Sequence, residues 1–269
     1  MTVIALQLLG AGVFGPGLAG WTASQAMLAG QAERIERATA IPLPTRLAAA
    51  ERRRASAAIK LALAVADDAC TQAGIDPSTL ASVFTTSNGD GANCHGLCET
   101  LATPQPMVSP TRFTNSVHNA TAGFWHIAVG SRAASTSLCM HDASFAAGLV
   151  EAALQVHATG RPVLLVASDV PYPDPLSRVR PMQDSFGAAF VLAPGAGGGG
   201  GSGAKALSVG LETGAAGATP SREQALEGLR ANVPAARALP LLQALAAGRS
   251  ERIVFDYRPG LALIAEFRA

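Results

Sequence analysis

Apolar positions recur along this chain with two periods, and the changes between them mark out its elements. Val3 to Leu9 is a short apolar run that predicts a buried strand. Gly10, Gly12, Gly15, Pro16, Gly17 and Gly20 predict a loop after it, with Trp21 to Ala29 as a short helix. Ala55, Ile59, Ala62, Ala66, Cys70 and Ala73 recur at three- and four-residue steps. They predict the buried stripe of a long helix over Arg46 to Ala73, capped by Thr45 and stopped by Gly74. Ala81 to Thr86 reads as a strand, Asn88-Gly-Asp-Gly as a turn and Cys94 to Leu101 as a short helix. Asn115 to Gly130 reads as a second main helix with Val117, Ala120, Phe124 and Ile127 on one face. A brief strand at Ser135 to Leu138 leads to a third main helix, Ala143 to His157. Val163 to Ala167 is apolar throughout, as suits a strand in mid-sheet with both faces covered. Strands follow at Gly187 to Leu192 and Ala206 to Leu211, separated by the glycine-dominated Pro194 to Ala204, which predicts a mobile surface loop. Two helices, Ser221 to Ala231 and Ala235 to Ala247, precede a hairpin of Arg252 to Tyr257 and Leu261 to Phe267, turning at Pro259-Gly260.

Strands alternating with helices predict an α/β domain with a mostly parallel sheet and helices on both faces, followed by a helical and β-hairpin tail. A main domain over 1–213 and a tail over 214–269 that completes the same unit is the expected organisation. Composition agrees with a folded chain: 269 residues, 49% hydrophobic and 14% charged. A net charge of +1 gives no field that would favour nucleic acid or an anionic membrane. The apolar start lacks the basic stretch of a secretory signal, and its glycines interrupt any membrane span. A cytoplasmic protein with reduced thiols is therefore expected.

One block narrows the picture. From Val108 to Val156 the chain runs VSPTRFTNSVHNATAGFWHIAVGSRAASTSLCMHDASFAAGLVEAALQV. Asn119, Ala122, Gly123, Gly130, Arg132 and Ser135 fall in step with a run found in β-ketoacyl synthases, where a helix, a Gly-x-Arg and a short strand lead to a nucleophilic cysteine. The first strand with its Gly-rich continuation, and GAAFVLAP at 187–194, resemble other parts of the same family. The chain is thus similar to one half of the thiolase-like fold. The SVHNATAG and ASFAAGL segments resemble the short synthase-like, chain-length-factor-like proteins of aryl-polyene and xanthomonadin pathways.

The resemblance sets demanding requirements. Condensation needs a thiolate at a helix N-terminus to take an acyl group, and imidazoles to stabilise the enolate and oxyanion. In the ungapped register from Arg132 and Ser135, the nucleophile position falls on Asp142. A carboxylate makes a poor thioester partner, because a mixed anhydride is less stable than the thioester it came from. Asp142 also has a bland reading, as the N-cap of the helix from Ala143. Cys139 is the alternative nucleophile, one turn too early, with His141 beside it as a candidate base. The family's catalytic histidines belong to the second half of the synthase fold, and no histidine follows Leu211 here. No metal or cofactor is expected: Cys94-His95-x-x-Cys98 lacks the second ligand pair of a zinc site, and Gly195 to Gly203 lacks the Gly-Lys-Ser/Thr of a phosphate loop. Arg52-Arg53-Arg54 reads either as a solvated helix face or as a meeting point for an acidic carrier protein.

The resemblance implies a catalytically silent, chain-length-factor-type subunit that pairs with an active ketosynthase and works with an acyl carrier protein. A homodimer is possible in isolation. Val117, His118, Asn119, Phe124 and Trp125 are the candidate partner contacts. Two alternatives stand beside it: a divergent acyltransferase or condensing enzyme using Cys139, and a non-catalytic acyl-binding scaffold.

Overall fold

A computed structural model describes residues 3–33, 35–87, 89–195, 205–215 and 217–269. The elements in chain order are β1 (Val3–Gly15), β2 (Leu18–Ala19), α1 (Trp21–Leu28), α2 (Ala49–Arg54), α3 (Ala57–Ala73) and β3 (Ala81–Thr85). Then come α4 (Gly91–Leu101), α5 (Pro110–Thr114), α6 (Ala120–Val129), β4 (Ser135–Leu138), α7 (Ser144–Thr159) and β5 (Val163–Asp169). The remainder is α8 (Leu176–Val179), β6 (Phe186–Pro194), β7 (Ala206–Thr213), α9 (Gln224–Asn232), α10 (Leu239–Ala247), β8 (Glu251–Arg258) and β9 (Leu261–Arg268).

One sheet runs β4-β3-β5-β6-β1-β7-β9-β8, with β2 folded back on β1. It is mixed rather than mostly parallel. Only β4, β3 and β5 run parallel to one another. From β5 outward through β6, β1, β7, β9 and β8, every pairing is antiparallel. The hairpin tail therefore extends the main sheet, because β9 pairs along the whole of β7.

Alternation along the central strands covers both faces with apolar packing. Val163, Leu165 and Ala167 of β5, with Phe186, Ala188, Phe190 and Leu192 of β6, face the core that holds α1, α7, α9 and α10. Leu164 and Val166, with Ala189 and Val191, face α3 and α6. On that second face β1 presents Gly10 and Gly12, and here the predicted loop proves to be strand. A Cβ on Gly12 would lie 2.2 Å from the Val65 carbonyl oxygen, and one on Gly10 would lie 2.4 Å from that of Ala69. The glycines let helix backbone lie directly on strand backbone, which is a packing role and not a turn.

Two predicted helices are broken. The chain is extended at Ala55 (ψ 125°), and the Ser56 side chain accepts the Ile59 N–H, so Ser56 and not Thr45 caps α3. Gly74 ends α3 in the left-handed conformation, as expected. The stretch from Asn115 is a turn until α6 begins at Ala120. On α6, Ala122, Phe124 and Trp125 are buried, whereas Ile127 is 62% exposed and Val117, before the helix, 54% exposed. The expected mobile loop falls largely on residues 196–204, and Asn88 belongs to the expected turn; both lie outside the described residues.

Candidate functional site

The carboxyl ends of the parallel trio β3, β4 and β5 open onto a cleft, the place where α/β sheets commonly bind ligands. About 230 Å³ of space is lined by Thr86, Asn93, Cys94, Asn115, Ser116, His118, Thr121 and Ser168, among others. A smaller recess shares Thr86, His118, Thr121 and Ser168 and reaches Thr85 and Ser137. The walls are rich in hydroxyl and amide groups. Thr85 Oγ1 and Asn115 Oδ1, both in buried residues, have no hydrogen-bond partner among the described residues. Asn115 is held by its other amide atom, which donates to the Arg54 carbonyl at 2.9 Å and so ties the turn before α6 to the end of α2.

Beside this cleft the chain leaves β4 through Cys139 and Met140 and makes a single 3-10 turn, His141–Ala143, before α7. His141 takes a left-handed conformation (φ 50°), uncommon for a residue with a side chain. The buried Ser144 hydroxyl pins this turn. It accepts the Met140 N–H at 2.9 Å and lies 2.7 Å from the His141 carbonyl oxygen and 2.9 Å from that of Thr86.

Asp142 does not cap α7, whose N-terminus has no side-chain cap. This corrects the N-cap reading, and the reason is electrostatic. One carboxylate oxygen of Asp142 accepts from the Arg180 guanidinium, and the other lies 3.4 Å from Nη2 of Arg237. Arg237 also reaches Asp256 on β8 at 3.6 Å. A side chain drawn outward to two cations cannot also fold back over the helix N–H groups. Burial works against the Arg180 charge, but Asp142 and the Tyr172 phenol outweigh it and hold the guanidinium above its ordinary pKa. Arg180 also contacts the His141 ring. None of these partners carried a sequence signal, since the turn, Arg180, Arg237 and Asp256 come from separate segments.

Cys139 is exposed, and its thiol donates to the Ser87 carbonyl. That is its one hydrogen bond among the described residues. The His141 ring lies against Arg180 and Asp142, so the sequence-suggested pairing of His141 with Cys139 is not among the hydrogen bonds of the described residues.

A second carboxylate sits beneath the cleft. Asp169, at the end of β5, is 4% exposed. It accepts from the Ser87 N–H (2.7 Å), the Ala235 N–H (2.8 Å) and the Thr86 hydroxyl (3.0 Å). Burial raises its pKa against the pull of these donors. Asp169 thereby joins the end of β3 to the 3-10 segment Pro234–Ala238, and the Asp142–Arg237–Asp256 chain joins the same segment to the α7 turn and β8.

The remaining expected residues separate. Val117, His118 and Asn119 are exposed on the turn before α6, and His118 lines the cleft. Phe124 and Trp125 lie in the chain's own core, 6% and 1% exposed, which leaves their side chains out of reach of a partner. Cys94 and Cys98 are exposed one helical turn apart on α4, and partial burial together with Cys98 raises the Cys94 thiol pKa. His95 between them pairs with Glu99 at 3.3 Å. Among the described residues no three such groups are placed to share a metal, and no helix is long and apolar enough to cross a membrane.

Solved structures share this architecture. The complex of the ketosynthase ApeO with its chain length factor ApeC from Xenorhabdus doucetiae contains a chain 23% identical, with a TM-score of 0.72 over 98% of this chain and 99% of that one. The ishigamide ketosynthase/chain length factor matches at 14% identity and a TM-score of 0.69 over 98% and 99%. AntDE:AntF, a type II polyketide acyl carrier protein in complex with its ketosynthase, matches at 14% identity and 0.69 over 100% of both chains. At such identities the likeness shows the fold. No curated protein matches in sequence. Residues 21–254, most of the chain, match the model of the β-ketoacyl synthase N-terminal domain, and the chain belongs to that family.

Proposed function

We propose that this chain is a chain-length-factor-type subunit without condensing activity of its own, acting in the cytoplasm with an active ketosynthase and an acyl carrier protein. One observation carries the reading. In the ungapped register from Arg132 and Ser135 the family's nucleophile position falls on Asp142, a carboxylate engaged by two arginines. A carboxylate so engaged neither attacks a thioester nor yields a stable acyl adduct. The alternative nucleophile, Cys139, spends its thiol hydrogen on a backbone carbonyl. Two solved structures with this fold are ketosynthases with chain length factors, which supports the pairing.

The surface that would meet the synthase is the one beside β4. That strand is one of the two edges of the sheet, and among the described residues its outer backbone groups have no ladder partner. Nearby, Phe113, Val117 and Ile127 are 69%, 54% and 62% exposed. Val117, His118 and Asn119 would contact the partner directly, whereas Phe124 and Trp125 support the surface from within. In this reading residues 214–269 complete the unit formed by 1–213.

Co-expression with the ketosynthase encoded nearest to it tests the proposal. The expected result is an equimolar complex on size exclusion that elongates a carrier-bound acyl chain, with no elongation by this chain alone and unchanged elongation with Cys139→Ala. Elongation by the isolated chain, or its persistence as a homodimer that ignores the synthase, defeats the reading.

A further inference from the structure

Away from the cleft, a larger cavity of about 560 Å³ lies between the end of β1, the start of α1, the segment at 42–46, α3 and α6. The Asp142 cluster contributes nothing to it. Its size falls within the range of small-molecule sites, and its walls have the usual character: mostly apolar, with a few charged groups. Phe14, Pro42 and Leu43 supply accessible apolar surface, with Trp21, Leu63 and Trp125 buried behind it. Trp21 and Trp125 are the two tryptophans of the whole chain, and both border this one space.

The charged groups are Arg46, Asp67 and Asp68. Arg46 is already paired with Asp67. Asp68 has no cationic partner among the described residues. Its Oδ2 accepts the Trp21 N–H at 2.6 Å and the Val13 N–H at 3.2 Å. Among the described residues its Oδ1 has only a long contact of 3.5 Å with the Gln72 amide. Burial pushes this carboxyl above its ordinary pKa, with the Trp21 and Val13 amides opposing. The lining thus holds two carboxylates against one guanidinium, and the carboxylate without a counter-ion sits near the Phe14 ring. Ammonium groups are attracted both to such a carboxylate and to aromatic rings such as that of Phe14.

We infer that this cavity is a binding site for an arylalkyl ammonium compound, with its apolar body against Phe14, Pro42 and Leu43 and its ammonium group on Oδ1 of Asp68. The inference is independent of any role as a synthase partner.

Because both tryptophans border the cavity, their fluorescence reports its occupancy directly. The purified full chain is titrated with phenylbutylamine, phenylbutanol and phenylvalerate, which share a ring and a tether and differ in charge. The expected result is a saturable change with the amine, with the alcohol and the carboxylate binding at least about ten-fold more weakly. Asp68→Asn should bring the amine down to the level of the alcohol, and Ala64→Leu, on the α3 wall, should weaken all binding. Equal affinity for amine and alcohol in the unaltered protein overturns the inference, as does tightest binding of the carboxylate. So does an Asp68→Asn protein with native circular dichroism that keeps the amine affinity. Should Asp68→Asn fail to fold, the amine-to-alcohol ratio of the unaltered chain still decides.

Discussion

The two ends of the sheet are built differently. At the β4-β3-β5 end the strands run parallel, their carboxyl ends point the same way, and hydroxyl and amide side chains line the opening they leave. At the β7-β9-β8 end the strands are antiparallel, joined partly by a tight hairpin, and Ile253, Phe255, Leu263, Ala265 and Phe267 pack into the main core. Parallel strands need crossover connections, and such connections leave crevices; hairpins close on themselves. The closed end should therefore respond to substitution as a core does, and the open end as a site does.

The sharpest test of the closed end is Phe145 on α7. It is fully buried, 5.2 Å from the Phe255 ring of β8 and 5.9 Å from that of Phe190 on β6. Phe145→Ala should cost about 3–5 kcal/mol in urea unfolding. A loss under about 1 kcal/mol would mean that this end is not the continuous core described. Asp169 comes next, since it links the open end to Ala235. Asp169→Asn should cost about 2–3 kcal/mol. Its pH dependence has a definite sign. An acid whose folded pKa is raised favours the folded state most at low pH, and that share is lost as pH rises through the folded value. The gap between the two proteins should narrow as pH climbs above the ordinary carboxylate range, and a widening gap would reverse the assignment.

The ion cluster at Asp142 is more exposed: its side chain and that of Asp256 are 45% and 60% accessible. Arg237→Met should therefore cost no more than about 1 kcal/mol, and added salt should reduce that further. A larger, salt-insensitive loss would assign the cluster to the fold and not to the site. Smallest of all is Ser135→Ala on β4. It removes a 3.0 Å hydroxyl contact with Ser82 at the sheet edge and should cost about 0.5 kcal/mol in thermal or urea unfolding.

What the sequence made legible follows the same division. Periodicity located the longer strands and helices, though not the short β2, α5 and α8, because burial on one or both faces is written into which residues alternate. Val163 to Ala167 is the clearest case, being both wholly apolar and wholly buried. Glycine was the main source of error: in β1 its cause is the backbone of α3, distant in sequence, so a local reading saw a loop. The break at Ala55 was also hidden, since Ala55 and Ile59 keep helical spacing across it. At the site, the register pointed to position 142, but nothing in the sequence pointed to its environment. Arg180 and Arg237 are ordinary surface-type residues until the fold brings them to the same carboxylate, and nothing around Asp169 announced that its acid would hold the amide of Ala235.

The central place of β1 shapes how this protein must be made. Its two neighbours across most of its length are β6 and β7, so everything from Pro16 to Ser185 is translated before either can dock. At about 5–20 residues per second, a nascent chain carries this apolar ribbon with both edges open for roughly ten to thirty seconds. Such distant pairing also slows the search once synthesis ends. Cells producing this protein should lean on ribosome-associated chaperones, and slower translation at reduced temperature should not shorten that vulnerable interval but lengthen it.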